Sequence, residues 1–179
     1  MNALDTTIRP ATLNDLDACR RMDGSVVSEQ VWNMQQSSQR IATSLLFSQV
    51  RLPRPLEVPY PSARDDLVSR LQGGHLLLVA EQDQVVGWVA VSYDGALGVA
   101  TVDHLIVLPE RRRQGIGTEL MRSAAEGARR LHARVVMAPC LAKSGPAIAF
   151  LQHLGMEFSG YNEHLFSEHE IALLFAYRV

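Results

Sequence analysis

The segment Val107-Leu108-Pro109-Glu110-Arg111-Arg112-Arg113-Gln114-Gly115-Ile116-Gly117 has the residue types to hold a small polyanion. Gly115 and Gly117 let a ligand approach the main chain with no side chain between them. The first N–H groups of a helix lack partners inside that helix, and the helix dipole favours an anion beside them. Arg112 and Arg113 add charge of the kind that pairs with phosphate oxygens. The plain alternative is a glycine-eased turn with solvated arginines. The loop lacks the Gly-Lys-Ser/Thr of a Walker loop and does not complete the G-x-G-x-x-G of a dinucleotide-binding turn.

Just upstream, Asp103 and His104 interrupt the run Val99 to Val107, which otherwise reads as a buried strand. A strand between helical layers is normally apolar throughout, so two ionisable residues in its middle are candidates for acid–base work. Strand alternation predicts that they face opposite sides and that one of them reaches a substrate. An imidazole titrates near pH ~6.5, whereas a carboxyl group at ~3.9 needs burial to rise into that range. A structural hydrogen bond is the alternative for each. Trp32 and Met34 are candidates for an apolar wall over a substrate, set against simple packing of a hairpin, and Tyr93 and Tyr161 are candidate proton donors. The histidines at 75, 132, 153, 164 and 169 have no metal-ligand spacing, so no metal is expected.

Alternating strands and helices must position these residues. Ile8-Arg9-Pro10 reads as a strand, and Thr12-Leu13-Asn14-Asp15 as a capping box ahead of a helix with Leu13, Leu16, Cys19 and Met22 on its apolar side. From Gly24 to Pro61 the pattern predicts a β-hairpin insertion, with strands at Val31–Gln35 and Leu45–Val50 and a turn at Ser37–Arg40. The prolines at 53, 55, 59 and 61 then predict an irregular connection, and a second helix is expected over Ser62–Leu71. Three strands follow, at His75–Glu81, Val85–Tyr93 and Val99–Val107. A helix over Ile116–His132 carries the stripe Ile116, Leu120, Ala124, Ala128 and Leu131. Strands at Arg134–Ala138, Met156–Tyr161 and Ile171–Val179, with a short helix from Gly145 to Leu154, complete an α/β fold with a mixed sheet.

At 179 residues the chain fits one domain, with 47% hydrophobic and 20% charged residues. A formal net charge of −2 argues against a nucleic-acid partner, and no stretch approaches the ~18 apolar residues of a membrane span. Two cysteines, Cys19 and Cys140, are expected to stay reduced and buried, and the absence of a basic, apolar leader points to a cytoplasmic protein.

Val-x-Pro-x-x-Arg-x-x-Gly-x-Gly ahead of a long amphipathic helix resembles the acetyl-CoA signature of the GNAT superfamily of N-acetyltransferases. Ile8-Arg9-Pro10-Ala11-Thr12 resembles that superfamily's opening, and Pro146-Ala147-Ile148 with Phe150 and Gly155 resembles its closing part. The resemblance thus spans nearly the whole chain. Met22-Asp23-Gly24-Ser25, Val89-Ala90-Val91-Ser92-Tyr93 and Thr101-Val102-Asp103 are most similar to the streptothricin acetyltransferase group.

The resemblance implies a single domain over residues 1–179 of α/β (α+β) class. Its central mixed, mostly antiparallel sheet would have a splayed strand pair, with helices on both faces and the insertion at 24–61 near the substrate side. It implies that Leu105, Ile106 and Val107 lend main-chain groups to a pantetheine arm. Arg112, Arg113, Gln114, Gly115, Ile116, Gly117 and Thr118 would cradle the pyrophosphate, with Ser144 and Phe150 also on the cofactor. Ser144 stands where an asparagine is common, and Leu151 where a tyrosine often acts as general acid. Asp103 stands where relatives carry a carboxylate. The implied function is transfer of acetyl from acetyl-CoA to a primary amine of a small molecule, such as an antibiotic or a polyamine-like amine. Acetylation of a protein lysine or N-terminus and a non-catalytic acyl-CoA-binding module are the alternatives, and the sequence allows a homodimer.

Overall fold

The computed structural model describes residues 5–61, 66–166 and 170–179. In chain order the elements are β1 (Thr7–Pro10), α1 (Leu16–Arg21), β2 (Val26–Ser38), β3 (Thr43–Val58), α2 (Leu67–Gln72), β4 (Leu76–Glu81) and β5 (Val85–Asp94). They continue with β6 (Val99–Val107), α3 (Ile116–Arg130), β7 (Val135–Leu141), α4 (Gly145–His153), β8 (Glu157–Asn162) and β9 (Ala172–Arg178).

Seven strands form one sheet in the order β1-β4-β5-β6-β7-β9-β8, and β2 pairs with β3 apart from it. Every neighbouring pair is antiparallel except β6 and β7, which run parallel. That pair holds register only at Val99↔Val135, Ala100↔Val136 and Thr101↔Met137. Beyond Thr101 and Met137 the two strands continue without pairing to each other, so the sheet opens as a wedge in its middle. This is the mixed, splayed sheet expected from the resemblance.

Two apolar layers clamp the sheet. Leu16, Cys19 and Met22 pack with Leu67, Val79, Trp88 and Ile106 on one side. On the other, Ile116, Leu120, Ala124 and Ala128 of α3 pack with Val89, Val102, Val136 and Phe175. Leu120 is fully buried, which contributes about 1.5–3 kcal/mol over leaving such a side chain in water. The two apolar stripes read from the sequence each lose one member. Leu13 (61% exposed) sits on a 3-10 turn before α1, and Leu131 (43% exposed) follows the last residue of α3. Arg9 pins the sheet edge, forking onto Asp15 at 2.8 and 2.9 Å and onto Glu81 at 2.7 and 2.9 Å. Asp15 also accepts the Thr12 main-chain N–H at 2.7 Å, as a capping box requires.

The insertion is a longer hairpin than its sequence announces, turning at Gln39–Ala42. Pro53 and Pro55 lie inside β3 and not in an irregular connection. The register moves from Ser28↔Leu56 to Gln30↔Arg51 at that point, so the prolines occupy a bulge that asks no ladder bond of them. Ring contacts seat the hairpin on the sheet, with Phe47 5.0 Å from Phe158 and Trp32 5.9 Å from it. The Trp32 N–H donates to the Ala142 carbonyl at 2.8 Å. The buried Ser28 hydroxyl accepts the Gly145 N–H at 2.9 Å and so holds the start of α4. The helix expected over Ser62–Leu71 is seen as α2, and its expected beginning lies outside the described residues.

Candidate active site

A groove of about 690 Å³ follows the wedge. Its walls come from the loop before α3 (Arg111, Arg112, Arg113, Gly115, Gly117, Thr118), from the unpaired halves of β6 and β7 (Leu105, Val107, Cys140), from α4 and the residue before it (Ser144, Phe150, Leu151), and from Tyr60 after β3.

The loop is shaped for an anion by its backbone. Arg113 and Gly115 both adopt left-handed conformations, φ +63 and +85, which glycine tolerates and arginine does not favour. Among the described residues, no main-chain carbonyl accepts from the main-chain N–H groups of residues 113–118. These donors lie at the positive end of α3, where an anion is favoured. A side chain at position 117 would place its Cβ 3.3 Å from the Phe150 ring, so glycine keeps this part of the groove open. Arg112 works differently from Arg113. Its guanidinium donates to the carbonyls of Val107 (2.9 Å), Ser25 (2.7 Å) and Asp23 (3.0 Å), tying the loop to the end of β6 and to the segment after α1. Arg113 and Gln114 are exposed, while Ile116 turns its side chain into the core and offers only main chain.

Leu105 and Val107 face the groove, and Ile106 is buried on the opposite side of the sheet. Because β7 has separated from β6, main-chain groups on that edge are open to an extended ligand, as at any unpaired strand edge. Leu151 is buried in the groove wall and has no proton to give. Cys140 also lines the groove, but burial pushes its thiol up to about 12, so it stays protonated and is a poor nucleophile.

A second cavity, about 360 Å³, lies next to the first and shares Asp103, Pro139 and Phe166 with it. Arg70, Thr101, His104, Met137, Asn162 and Leu165 also line it. Asp103 and His104, expected on opposite faces, serve the same side. The register between β5 and β6 jumps from Ala90↔His104 to Val91↔Val102, making Asp103 the extra residue of a β-bulge. Val102 therefore packs towards α3, while His104 sits 5.2 Å from Trp88 on the α1 side. Asp103 reaches that side too, accepting from Arg70 at 2.5 Å and from the Ser92 hydroxyl at 3.1 Å.

The remaining candidates are scattered. Trp32, Met34 and Tyr93 line neither cavity: Trp32 belongs to the aromatic seat of the hairpin, Met34 pairs with Phe47, and Tyr93 packs against the α3-side core. Sequence reasoning missed Tyr60, Arg70 and Phe166, which the fold brings to Asp103 and His104. A lone tyrosine between Pro59 and Pro61 was the one available signal, and no periodicity marked it. Among the described residues no cluster of His, Cys, Asp and Glu could hold a metal ion, and no helix is long and apolar enough to cross a membrane.

Comparison with known proteins adds an independent line. The model of the acetyltransferase (GNAT) family matches residues 42–156. Streptothricin acetyltransferase of Streptomyces lavendulae is 27% identical, over 92% of this chain and 90% of that protein. The crystal structure of nourseothricin acetyltransferase superposes with a TM-score of 0.82 at 25% identity, covering 97% of this chain and 98% of that one. A Bacillus anthracis protein solved in complex with acetyl coenzyme A shares the fold, with a TM-score of 0.76 at 16% identity over 98% of this chain and all of that one.

Proposed function

The chain belongs to the acetyltransferase (GNAT) family, and from that premise we propose that it transfers acetyl from acetyl-CoA to a primary amine of a small molecule. The observation that carries this reading is the meeting of two cavities at Asp103 through the open wedge between β6 and β7. The residues fit acetyl-CoA. The free N–H groups before α3, with Arg113 and Thr118, suit a pyrophosphate, and the open edge at Leu105–Val107 suits the amide-bearing pantetheine arm. Ser144 and Phe150 close the wall beside them. Bound there, acetyl-CoA supplies a thioester carbonyl and a thiolate leaving group.

The chain's own groups then have distinct tasks. A main-chain N–H on the open edge near Ile106 or Val107 donates to the carbonyl oxygen as negative charge develops on it. Asp103 presents a carboxylate to the incoming amine, its other contacts to Arg70 and Ser92 fixing its orientation. His104 supplies a basic ring nitrogen on the same side. The volume of the second cavity, about 360 Å³, is on the scale of a small acceptor. The likeness to streptothricin and nourseothricin acetyltransferases along nearly the full chain favours an antibiotic-like amine. Thiol release measured across streptothricin, polyamines, free amino acids and peptide N-termini tests the reading. Turnover confined to peptides would overturn the small-molecule acceptor.

A further inference from the structure

His104 lines the second cavity but is almost wholly buried, which suits it to take up a proton through a neighbouring group more than to meet an amine itself. Its side chain is only 3% exposed, packed between Trp88 at 5.2 Å and Tyr60 at 6.0 Å between ring centres. Its Nδ1 lies 3.3 Å from the Tyr60 hydroxyl. Tyr60 itself is half-buried and forms part of the groove wall that also contains Asp103 and Phe166. A buried ring and the hydroxyl of a groove-wall residue, within reach of each other, make a two-step path for a proton. Leu151, in the wall of the same groove, has no hydroxyl to offer.

We infer that Tyr60 is the group that touches the acceptor amine, and that it relays the amine proton to His104. This rests on the acetyltransferase reading above. With the imidazole proton on Nε2, Nδ1 accepts the Tyr60 O–H. As the amine nitrogen forms its bond to the thioester carbonyl carbon, its excess proton passes to the Tyr60 oxygen while the tyrosine's own proton passes to Nδ1. The carbon–sulfur bond breaks, the thiolate takes one proton from solvent, and His104 returns one to solvent. The balance is amine plus thioester giving amide plus thiol, with Tyr60 and His104 restored. Tyr60 remains neutral throughout, which a phenol needs near neutral pH, since its ordinary pKa is about 10.

Tyr60→Phe deletes the hydroxyl and keeps the ring that packs over His104, so folding is preserved and an unchanged melting temperature verifies it. The variant is expected to lose at least about 100-fold in kcat, the low end for positioned acid–base catalysis, with KM for acetyl-CoA unchanged. Because the two residues act as one path, Tyr60→Phe combined with His104→Gln should be no slower than the worse single variant. Wild-type rates in mixtures of light and heavy water should curve with isotope fraction, as two protons in flight require, and the Tyr60→Phe variant should give a straight line. A readout without turnover is the ring nitrogen resonances of His104 in the cofactor-free protein. They should report one tautomer, protonated on Nε2, that is lost in Tyr60→Phe. Wild-type turnover with full kcat in Tyr60→Phe, or additive losses in the double variant, overturns this inference alone. No thiol release by the wild type with any amine overturns the acetyltransferase reading and this inference with it.

Discussion

The two sides of β6 are made by different means. On the cofactor side the groove is built from one continuous segment, Val107 to Thr118, together with a strand edge left bare by its neighbour. Its main working groups are main-chain N–H groups, and its side chains matter chiefly for being absent, as at Gly117, or for holding the loop, as at Arg112. On the acceptor side, Arg70, Asp103 and Phe166 come from three separated stretches and meet only in the folded chain, with Tyr60 reaching His104 from the wall of the neighbouring groove. A pyrophosphate is the same in every use of the cofactor, so a short local motif suffices for it. An acceptor that varies calls for side chains that can be exchanged one at a time.

The largest test of that contrast is Gly117→Val. It should abolish the rise in melting temperature that acetyl-CoA produces, a stabilisation of about 2.7 kcal/mol at one hundred times Kd. A thermal shift equal to wild type would move the cofactor off this loop. Asp103→Asn should do the converse, lowering kcat/KM for the amine by about 100-fold while calorimetry finds acetyl-CoA affinity unchanged. If affinity for acetyl-CoA fell in parallel, the two sides would not be separable as described.

The adjacent arginines sharpen the comparison within the loop. Arg112→Ala strips partners from three carbonyls and should cost about 1–3 kcal/mol of stability in denaturant unfolding. Arg113→Ala should leave stability unchanged, weaken acetyl-CoA binding, and flatten its dependence on salt. Equal stability losses would mean that both arginines are structural.

The smallest effect is remote from both sides and serves as a control. The Arg9 fork holds the Asp15 carboxyl well below the usual carboxylate range, with burial opposing and the Thr12 donors assisting. A carboxyl depressed in the folded state adds stability that is present above its unfolded pKa of ~3.9 and is lost as pH falls below it. Asp15→Asn should therefore lower the melting temperature at pH 7 and shrink its fall between pH 5 and pH 3. Catalysis at pH 7 should be untouched while the variant is folded.

The same contrast explains what could be read from the sequence. Phosphate-loop chemistry, strand periods and helix stripes are local, so β4, β5, β6 and α3 were predicted nearly to the residue. The placement of Asp103 beside His104 was not, because a β-bulge is a mismatch between two strands and leaves no mark in either alone. Pro53 and Pro55 read as chain breakers for the same reason, since only the pairing with β2 creates the bulge that accommodates them. Tyr60 sits in a proline-rich segment without periodicity, and its role depends wholly on β6 passing beneath it.

The wedge between β6 and β7 is also a doorway with two thresholds. With one reactant seated in the groove before α3 and the other in the cavity beyond Asp103, neither stands in the other's path. Cys140, the thiol in that passage, is held protonated by burial and is a poor station for a parked acetyl group. Both reactants must then be on the protein together, in either order of arrival, and initial-rate plots against each should intersect. No label should pass between acetyl-CoA and free CoA until an amine arrives.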